Sequence, residues 1–383
     1  MSGRTAVVLF TRDLRVHDHP ALATSCAAFD RVVPLYVLDP ALAERSPNRT
    51  RFLHQSLAAL REALRALGGD LVLRHGDPVA ETIRLAGEVG AEGVALSADV
   101  SRYAARRARR LRAECDRHRL HLRFFPGLTV VEPAELTPGG GDHYRVFSPY
   151  HRAWSARPWR EELSAPATVR LPAGVPVGRL PGLPPGESPD VVTGGEDEAR
   201  RRLARWLPDV ARYGDRHDDM AGDATSRLSP YLRFGCLSPL TVANAIDDRQ
   251  SPFVRQLCWR DFYHQVTAAF PDLPRKAYRR RATEHWRYDE QALTAWAEGR
   301  TGLPVVDAGM RQLRAQGWRG FNPVRQAERY DPDGAYVRRW VPELASVAGV
   351  AVHQPWRLPD ALRRTLDYPP PLEPPGDHPV WLR

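Results

Sequence analysis

The sequence predicts an α/β protein with an N-terminal doubly wound parallel sheet and a C-terminal all-helical domain. Two observations lead to this prediction. Residues 5–125 alternate short apolar runs with segments of helical periodicity, whereas strand-like runs are missing from residue 196 onward. A stretch rich in proline and glycine separates the two patterns. We therefore expect an α/β domain at 1–155, a linker at 156–195 and a helical domain at 196–383.

The predicted sheet has five strands, several of them apolar on both faces, which is typical of a buried parallel sheet. The strands are predicted at Ala6–Phe10, Val32–Leu38, Leu71–Leu73, Val94–Leu96 and His121–Phe125. Helices are predicted between them at Arg51–Leu67 and Ser101–Arg119. Later helices are predicted at Glu198–Trp206, Pro239–Asp247, Val254–Ala269, Asp289–Glu298 and Val305–Arg314. Sheets of this Rossmann-like kind bind ligands beyond the carboxyl ends of their strands.

The amino-acid composition and net charge indicate which class of molecule the protein binds. The 383 residues carry a formal net charge of +9, which makes nucleic acid the first partner to test. No apolar run reaches membrane-spanning length, and the N-terminus lacks the apolar core of a signal peptide, so we expect a cytoplasmic monomer. The four cysteines show no CxxC spacing, so neither a disulfide framework nor a metal site is expected.

The most informative stretch is Asp223–Pro239, which combines hydroxyl side chains, arginines and a proline-bounded helical turn. Thr225 and Ser226 occupy predicted N-cap positions, and a helix N-terminus offers free N–H groups to an anion such as phosphate. The alternative is a capped helix with solvated arginines.

The run Thr-Ser-Arg-Leu-Ser-Pro-Tyr-Leu-Arg-Phe-Gly within this stretch resembles the flavin-phosphate loop of the DNA photolyase and cryptochrome family. The resemblance implies a FAD-binding C-terminal domain and light-driven repair of cyclobutane pyrimidine dimers by electron transfer from reduced FAD. The residues implied to wrap the FAD pyrophosphate are Thr225, Ser226, Arg227, Leu228 and Ser229, and Tyr213 is implied to line the same pocket.

The loop Thr11–Pro20 resembles the family segment that follows the first strand. For Asp13 and Arg15 within it, internal ion pairs are the favoured interpretation. In the family this domain holds an antenna chromophore, a deazaflavin or a folate. Arg49 and Asp99 match positions that contact a deazaflavin antenna in some members.

The segment Phe253–Tyr263 resembles the substrate-side helix of the family. By this resemblance Trp259 packs on a pyrimidine dimer flipped out of damaged duplex DNA, and Arg260 supports DNA or flavin. Core packing is the equal alternative for Trp259. Gln256 stands where repair-active members have a glutamate that bonds the pyrimidine edge, and glutamine cannot carry its charge.

The arginine run Arg106–Arg112 lies on a predicted helix. Helical spacing spreads these arginines around the exposed arc, which favours a solvated face over a dedicated binding stripe.

The blocks Thr301–Trp318 and Phe321–Leu344 also resemble the family, but only Arg319-Gly320 joins them, where the family has several helices. We therefore expect a domain truncated internally between Trp318 and Phe321. The absent segment carries one wall of the flavin pocket and the inner tryptophans of an electron relay. Trp296 matches the outermost relay tryptophan and is expected to lack those partners.

Three functions remain open at this stage. The first is a photolyase, a carbon–carbon lyase that acts on damaged DNA with FAD. The second is a repair-inactive relative that has lost the flavin core and binds DNA, a pigment or a partner. The third uses the phosphate loop and the emptied cavity for a smaller nucleotide.

Overall fold

The computed structural model describes residues 3–42, 46–185, 188, 190–273, 275–276, 278, 289–316 and 330–371. The N-terminal part is built on a five-stranded parallel sheet with strand order β3-β2-β1-β4-β5. The strands are β1 (Thr5–Phe10), β2 (Arg31–Leu38), β3 (Val72–His75), β4 (Gly93–Ser97) and β5 (His121–Phe125). All five were predicted from the sequence, and β3 differs most, since it ends two residues later than predicted.

Strand β1 lies at the centre of the sheet, and all six of its residues are buried. Val7 on β1 faces Val33 on β2 and Val94 on β4 in the parallel register. Apolar residues on both faces of β1 therefore pack against helices, as the continuous apolar run predicted.

Four helices connect the strands: α1 (Pro20–Ala28), α2 (Pro47–Ala66), α3 (Pro78–Glu88) and α4 (Arg102–Arg117). The caps explain where two of them begin. Asp77 accepts the backbone N–H groups of Val79 and Ala80 at the start of α3, and Ser101 accepts that of Ala104 at the start of α4. The predicted α/β fold is confirmed.

The predicted linker contains no helix or strand in its described residues 157–185, 188 and 190–195. It nevertheless bonds to the sheet, because the N–H of Val32 donates to the carbonyl of Arg170 at 2.9 Å and that of Leu73 to the carbonyl of Val177 at 2.9 Å. The buried guanidinium of Arg61 also donates to Val177 at 2.8 Å. Backbone bonding thus holds the linker along the α/β layer.

After residue 125 the described residues form helices and no strand. These helices are α5 (Phe147–Ala156), α6 (Glu196–Trp206), α7 (Tyr213–Arg216), α8 (Ser229–Phe234), α9 (Pro239–Asn244), α10 (Pro252–Ala269), α11 (Glu290–Glu298), α12 (Pro304–Gln316), α13 (Ala335–Trp340) and α14 (Asp360–Arg363). The predicted helix at Pro239–Asp247 ends three residues early, at Asn244.

The chain forms two compact units whose limits differ from the predicted domains. The first unit comprises 1–185, 193–214 and 226–282, and the second comprises 186–192, 215–225 and 283–383. Helices α6 and α8–α10, predicted to belong with the helical domain, therefore belong with the sheet. Long-range contacts explain this: the ring of Phe52 packs against Tyr231 at 5.3 Å, and buried Arg15 donates to the carbonyl of Gly235 at 3.0 Å.

The second unit has an apolar core of its own, formed mainly by residues of α12, α13 and the turns that follow α13. Its buried members are Val305, Val306, Ala308, Tyr336, Val337, Val341, Leu344, Val347 and Val352.

Candidate functional site

The loop before α8 has an unusual backbone. Arg227 has a φ of 53°, in the left-handed region that non-glycine residues rarely adopt. The hydroxyl of Ser226 accepts the N–H of Leu228 at 3.3 Å, and Leu228 immediately precedes the helix. The prediction that Thr225 and Ser226 are N-cap residues is therefore wrong, because the loop makes one further turn before Ser229 begins α8.

The five predicted phosphate-loop residues differ in exposure and in the unit to which they belong. Leu228 is buried and Ser229 is exposed, while Ser226 and Arg227 are partly buried. Thr225 falls in the second unit, and the other four fall in the first.

An arginine that sequence reasoning missed lies beside this loop. The Nε of Arg202, on α6, donates to the carbonyl of Ser226 at 3.1 Å. Burial lowers the pKa of Arg202, and the nearby guanidinium groups of Arg227 and Arg205 lower it further. Positive charge therefore accumulates around the loop, an arrangement that a bound anion stabilises. No local pattern links Arg202 to Ser226, since 24 residues separate them.

Tyr213 belongs to an aromatic cluster in the first unit. Its ring meets Phe253 edge-on at 5.1 Å and Trp206 at 5.9 Å, and the rings of Trp206 and Phe253 lie 4.2 Å apart. The indole nitrogen of Trp206 is buried and has no hydrogen-bond partner within the described part of the chain. Trp206 lies one turn beyond Arg202 on α6, so this face of the helix carries a guanidinium and an indole N–H donor.

The predicted substrate residues lie on α10, and they differ in what they contact. Gln256 is exposed. Trp259 is partly buried, and its ring stacks on Phe147 with centroids 3.5 Å apart and an interplanar angle of 3°. The ring of Tyr263 lies 5.8 Å from Trp259 at 24°. Trp259 therefore already has aromatic partners, and its contact with a pyrimidine stays a prediction.

Arg260 points into the first unit, where a guanidinium N–H donates to the carbonyl of Leu128. Its neighbour Asp261 accepts the N–H groups of Val130 at 2.9 Å and Val131 at 3.0 Å, and the indole N–H of Trp154 at 3.0 Å. Burial lowers the pKa of Arg260 to about 10 and raises that of Asp261 to about 7. These contacts join α10 to residues 128–131, and the predicted contact of Arg260 with DNA or flavin stays a prediction.

The predicted antenna residues Arg49 and Asp99 lie on or beside different elements. Arg12, after β1, donates to both carboxylate oxygens of Asp99 at 3.2 and 3.3 Å, beyond the end of β4. Burial opposes ionisation of Asp99, yet the Arg12 guanidinium holds the pKa of Asp99 below its usual range. Arg49 is exposed on α2. Asp99 is thus already paired with Arg12 at the carboxyl edge of the sheet, and the antenna contacts of Arg49 and Asp99 stay predictions.

The carboxylate of Asp13 lies 3.1 Å from the Nε2 of buried His19, a contact that is an ion pair only when the imidazole is protonated. Arg15 instead satisfies its guanidinium with backbone carbonyls, including those of Asp18 and Gly127, both at 2.8 Å. The expectation of an internal ion pair is therefore wrong for Arg15, whose buried guanidinium bonds to backbone carbonyls.

The second unit contains a small cleft of about 80 Å³ that Trp296 lines from α11. Trp296 is 48% exposed, and Thr225, Met310, Leu313 and Tyr336 are among the other lining residues. The structure thus brings a predicted phosphate-loop residue and the predicted relay tryptophan to one cleft. Its walls combine apolar side chains with His217, Asp218 and Asp219, and its volume is well below that of a pocket for a drug-sized ligand.

Among the helices of the described residues, none is both long enough and apolar enough to cross a lipid bilayer.

Comparison with known protein families gives two matches. Residues 6–169 match the DNA photolyase family model. Residues 253–319 and 319–373 match the model of the FAD binding domain of DNA photolyase.

Individual proteins agree with the family matches. The deoxyribodipyrimidine photo-lyase of Streptomyces griseus is 41% identical, with 96% of each chain covered. That of Halobacterium salinarum is 31% identical, with 94% of each chain covered. A bacterial class III photolyase from Agrobacterium tumefaciens has a similar structure, with a TM-score of 0.88, 28% identity and coverage of 97% of this chain and 94% of that one.

The comparisons also bear on the predicted break between Trp318 and Phe321, which lies outside the described residues. The two matched segments of the FAD-binding-domain model meet at residue 319. The alignment with the Streptomyces griseus relative extends over 437 positions, more than the 383 residues of this chain, so part of the relative has no counterpart here. The position of the break in the match agrees with the predicted junction.

Proposed function

This chain belongs to the DNA photolyase family, and we propose that it binds FAD and uses light to split cyclobutane pyrimidine dimers in DNA. The observation that carries the proposal is the 41% identity to a deoxyribodipyrimidine photo-lyase over 96% of both chains. The identity covers the sheet, the phosphate loop and most of the helical part, so the proposal does not depend on a single motif.

The residues around the phosphate loop fit the pyrophosphate of FAD. Arg202 and Arg227 place two arginines at the loop, and guanidinium groups suit phosphate because they bind it bidentately. Ser226 and Ser229 supply hydroxyls, and the buried indole N–H of Trp206 is a further donor without an acceptor among the described residues. When bound and reduced, FAD supplies the light-driven electron for dimer cleavage.

The residues of this chain are proposed to bind and orient the flavin and the DNA. The aromatic cluster of Trp206, Tyr213 and Phe253 is proposed to line the flavin pocket. On the DNA side, the net positive charge attracts the phosphate backbone, and Gln256 and Trp259 are proposed to meet the extruded pyrimidines. Arg49 and Asp99 are proposed to border an antenna chromophore, a deazaflavin or a folate.

The experiment is an absorbance spectrum of the purified protein before and after FAD is added, followed by illumination with a dimer-containing oligonucleotide. We expect a flavin spectrum and loss of dimers in light but not in the dark. A protein that stays colourless after FAD is added would overturn the proposal.

The phosphate loop itself is tested by Arg202→Gln, which removes the guanidinium beside Ser226. We expect FAD affinity to fall roughly 10- to 100-fold, since a charge-assisted contact contributes about 1.5–3 kcal/mol. Arg31→Gln, an exposed arginine at the start of β2, is the matched control and is expected to leave FAD affinity unchanged. Equal affinities for wild type and Arg202→Gln would place the pyrophosphate elsewhere.

A second function is favoured by one specific observation, the interruption of the FAD-binding-domain match at residue 319. In this alternative the protein lacks repair activity and acts by binding DNA, a pigment or a partner. The same spectrum separates the two, because the alternative predicts DNA binding in the dark without a flavin chromophore or light-dependent repair.

We further propose that the protein is a cytoplasmic monomer. Cys115, Cys236 and Cys258 are buried free thiols, as expected in a reducing compartment. Light scattering coupled to size-exclusion chromatography tests the oligomeric state, and a mass of about 43 kDa is expected.

A further inference from the structure

Helix α4 presents an unusually basic outer face. Its inner face buries Ala104, Leu111 and Cys115. The arginines on its exposed side are Arg102, Arg106, Arg109, Arg110, Arg112 and Arg117. We call Arg106, Arg109 and Arg112, which follow one another at a spacing of three residues, the α4 basic face.

The arginines that border this face have acidic partners. Arg102 pairs with Asp272 at 3.0 Å, Arg110 with Asp77 at 2.7 Å, and Arg117 with Glu114 at 3.2 Å. The only other acidic residue of α4 is Asp116, which is exposed near its end.

The three members of the α4 basic face differ from these neighbours. Arg112 lies over the ring of Phe124 at 5.5 Å, which leaves its guanidinium charge uncompensated. The side chains of Arg106 and Arg109 have no ion pair or hydrogen bond to any residue in the described part of the chain. Three positive charges on successive turns are therefore held together without neutralisation, which costs free energy through like-charge repulsion.

Helical spacing alone favoured a solvated face for this arginine run, but the absence of acidic partners for these three arginines in the described part of the chain points the other way. We infer that the α4 basic face binds the phosphate backbone of undamaged duplex DNA, independently of base sequence and of the flavin site. Guanidinium groups bind phosphate bidentately, and a helix offers one such group per turn of about 5.4 Å. The 16 residues of α4 span about 24 Å, a length over which duplex DNA carries many phosphates.

Duplex DNA is favoured over an acidic protein as the occupant because the face offers charge without an apolar anchor. Protein interfaces usually bury aromatic or aliphatic anchors at their centre. Here the exposed residues between the arginines are small or charged, such as Ala113 and Asp116. Backbone-only contact with a polyanion is the binding mode that this composition supports.

This inference goes beyond the proposed function, because it concerns DNA without a lesion and requires neither FAD nor light. A face that holds undamaged duplex would let the protein slide along DNA, as sequence-independent phosphate binding does in other proteins.

The test measures binding of a 30-base-pair undamaged duplex in the dark between 50 and 300 mM salt, for the full chain. The test variant is Arg106→Gln combined with Arg109→Gln, since glutamine keeps helix propensity and neither arginine has a described partner to lose. Two phosphate contacts contribute about 1.8 to the slope of log K against log salt. We expect the slope to become shallower by about that amount and the affinity at 100 mM salt to fall at least tenfold.

The matched control is Arg31→Gln combined with Arg170→Gln. It removes two exposed arginines near the start of β2, which lies away from α4 in the strand order. The control therefore tests whether the loss of net charge alone explains the change in DNA affinity. An unchanged slope in the α4 variant, or an equal change in the control, would overturn the inference. The inference would also be overturned if the binding of polyglutamate depended on Arg106 and Arg109 while the binding of duplex DNA did not. Flavin absorbance, recorded on the same samples, reports separately on the proposed function.

Discussion

At the scale of single residues, a buried carboxylate that no sequence motif singled out holds part of the first unit together. Asp261 is fully buried, and a single carboxylate oxygen accepts three N–H groups, from Val130, Val131 and Trp154. Buried donors must be satisfied, so these three bonds fix how α10 packs. The neighbouring positions Gln256 and Trp259, which the resemblance assigns to the substrate, depend on that packing.

This role is tested by comparing Asp261→Ala with Asp261→Asn. Alanine leaves three buried N–H donors without an acceptor, and we expect it to lower the free energy of unfolding by about 3 kcal/mol or more. Asparagine keeps one acceptor oxygen and is expected to cost less than half as much. Urea unfolding measures both. If the two variants lose equal stability, the negative charge rather than the number of acceptors is what the fold requires.

At the scale of elements, the linker behaves as part of the fold, and Asp18 is its main attachment. The guanidinium of Arg160 donates to both carboxylate oxygens of Asp18, at 2.5 and 2.7 Å, and the N–H of Leu163 donates at 3.2 Å. The hydroxyl of Ser238, at the start of α9, donates to the same carboxylate. One buried side chain thus connects the loop after β1, the linker and α9.

The Asp18 contacts predict a pH effect. Burial alone would raise the pKa of Asp18, but Arg160 and Ser238 outweigh burial and hold that pKa below its ordinary value. The folded protein therefore binds this proton less readily than the unfolded chain, so the stability from Asp18 is present above about pH 4 and is lost as pH falls through the folded pKa.

The measurement is urea unfolding of wild type and Asp18→Asn from pH 7 to pH 3. At pH 7 we expect the variant to lose about 2–4 kcal/mol, because Arg160 then lacks its buried charged partner. The difference between the two proteins is expected to shrink below pH 4. Asp116→Asn, at an exposed site on α4, is the control and should change stability by less than about 0.5 kcal/mol. A difference that stays constant with pH would mean that Asp18 is not ionised in the fold.

At the scale of the whole molecule, the decisive feature is the junction at Arg319-Gly320. The family match resumes directly after an interruption at residue 319, so the chain joins two blocks that the relatives separate. Flavin affinity depends on how completely a pocket encloses the ring system, since apolar contact area and satisfied polar groups both grow with enclosure.

A chimera tests this dependence. Replacing Arg319-Gly320 with the segment of the Streptomyces griseus relative that aligns with the gap should restore the missing wall. We expect FAD to bind at least 100-fold more tightly, about 2.7 kcal/mol, and light-dependent repair to increase in parallel. A glycine-serine insert of equal length is the control. Equal FAD affinity in the parent chain and the chimera would show that the present chain encloses the flavin without that segment.

The α/β layer, the helical second half, the family and the junction could all be predicted from the sequence. Each of these depends on local periodicity or on consecutive motif residues, such as the apolar run of β1 and the Thr225–Ser229 loop.

The residues that surround those motifs became known from the folded chain. It placed Arg202 against Ser226, stacked Trp259 on Phe147 and grouped α8–α10 with the sheet. It also corrected the N-cap assignment of Thr225 and Ser226, because the left-handed Arg227 inserts a turn before α8. The physical reason is common to all four: these contacts join residues far apart in the chain or depend on backbone dihedral angles, and neither leaves a periodic trace in the sequence.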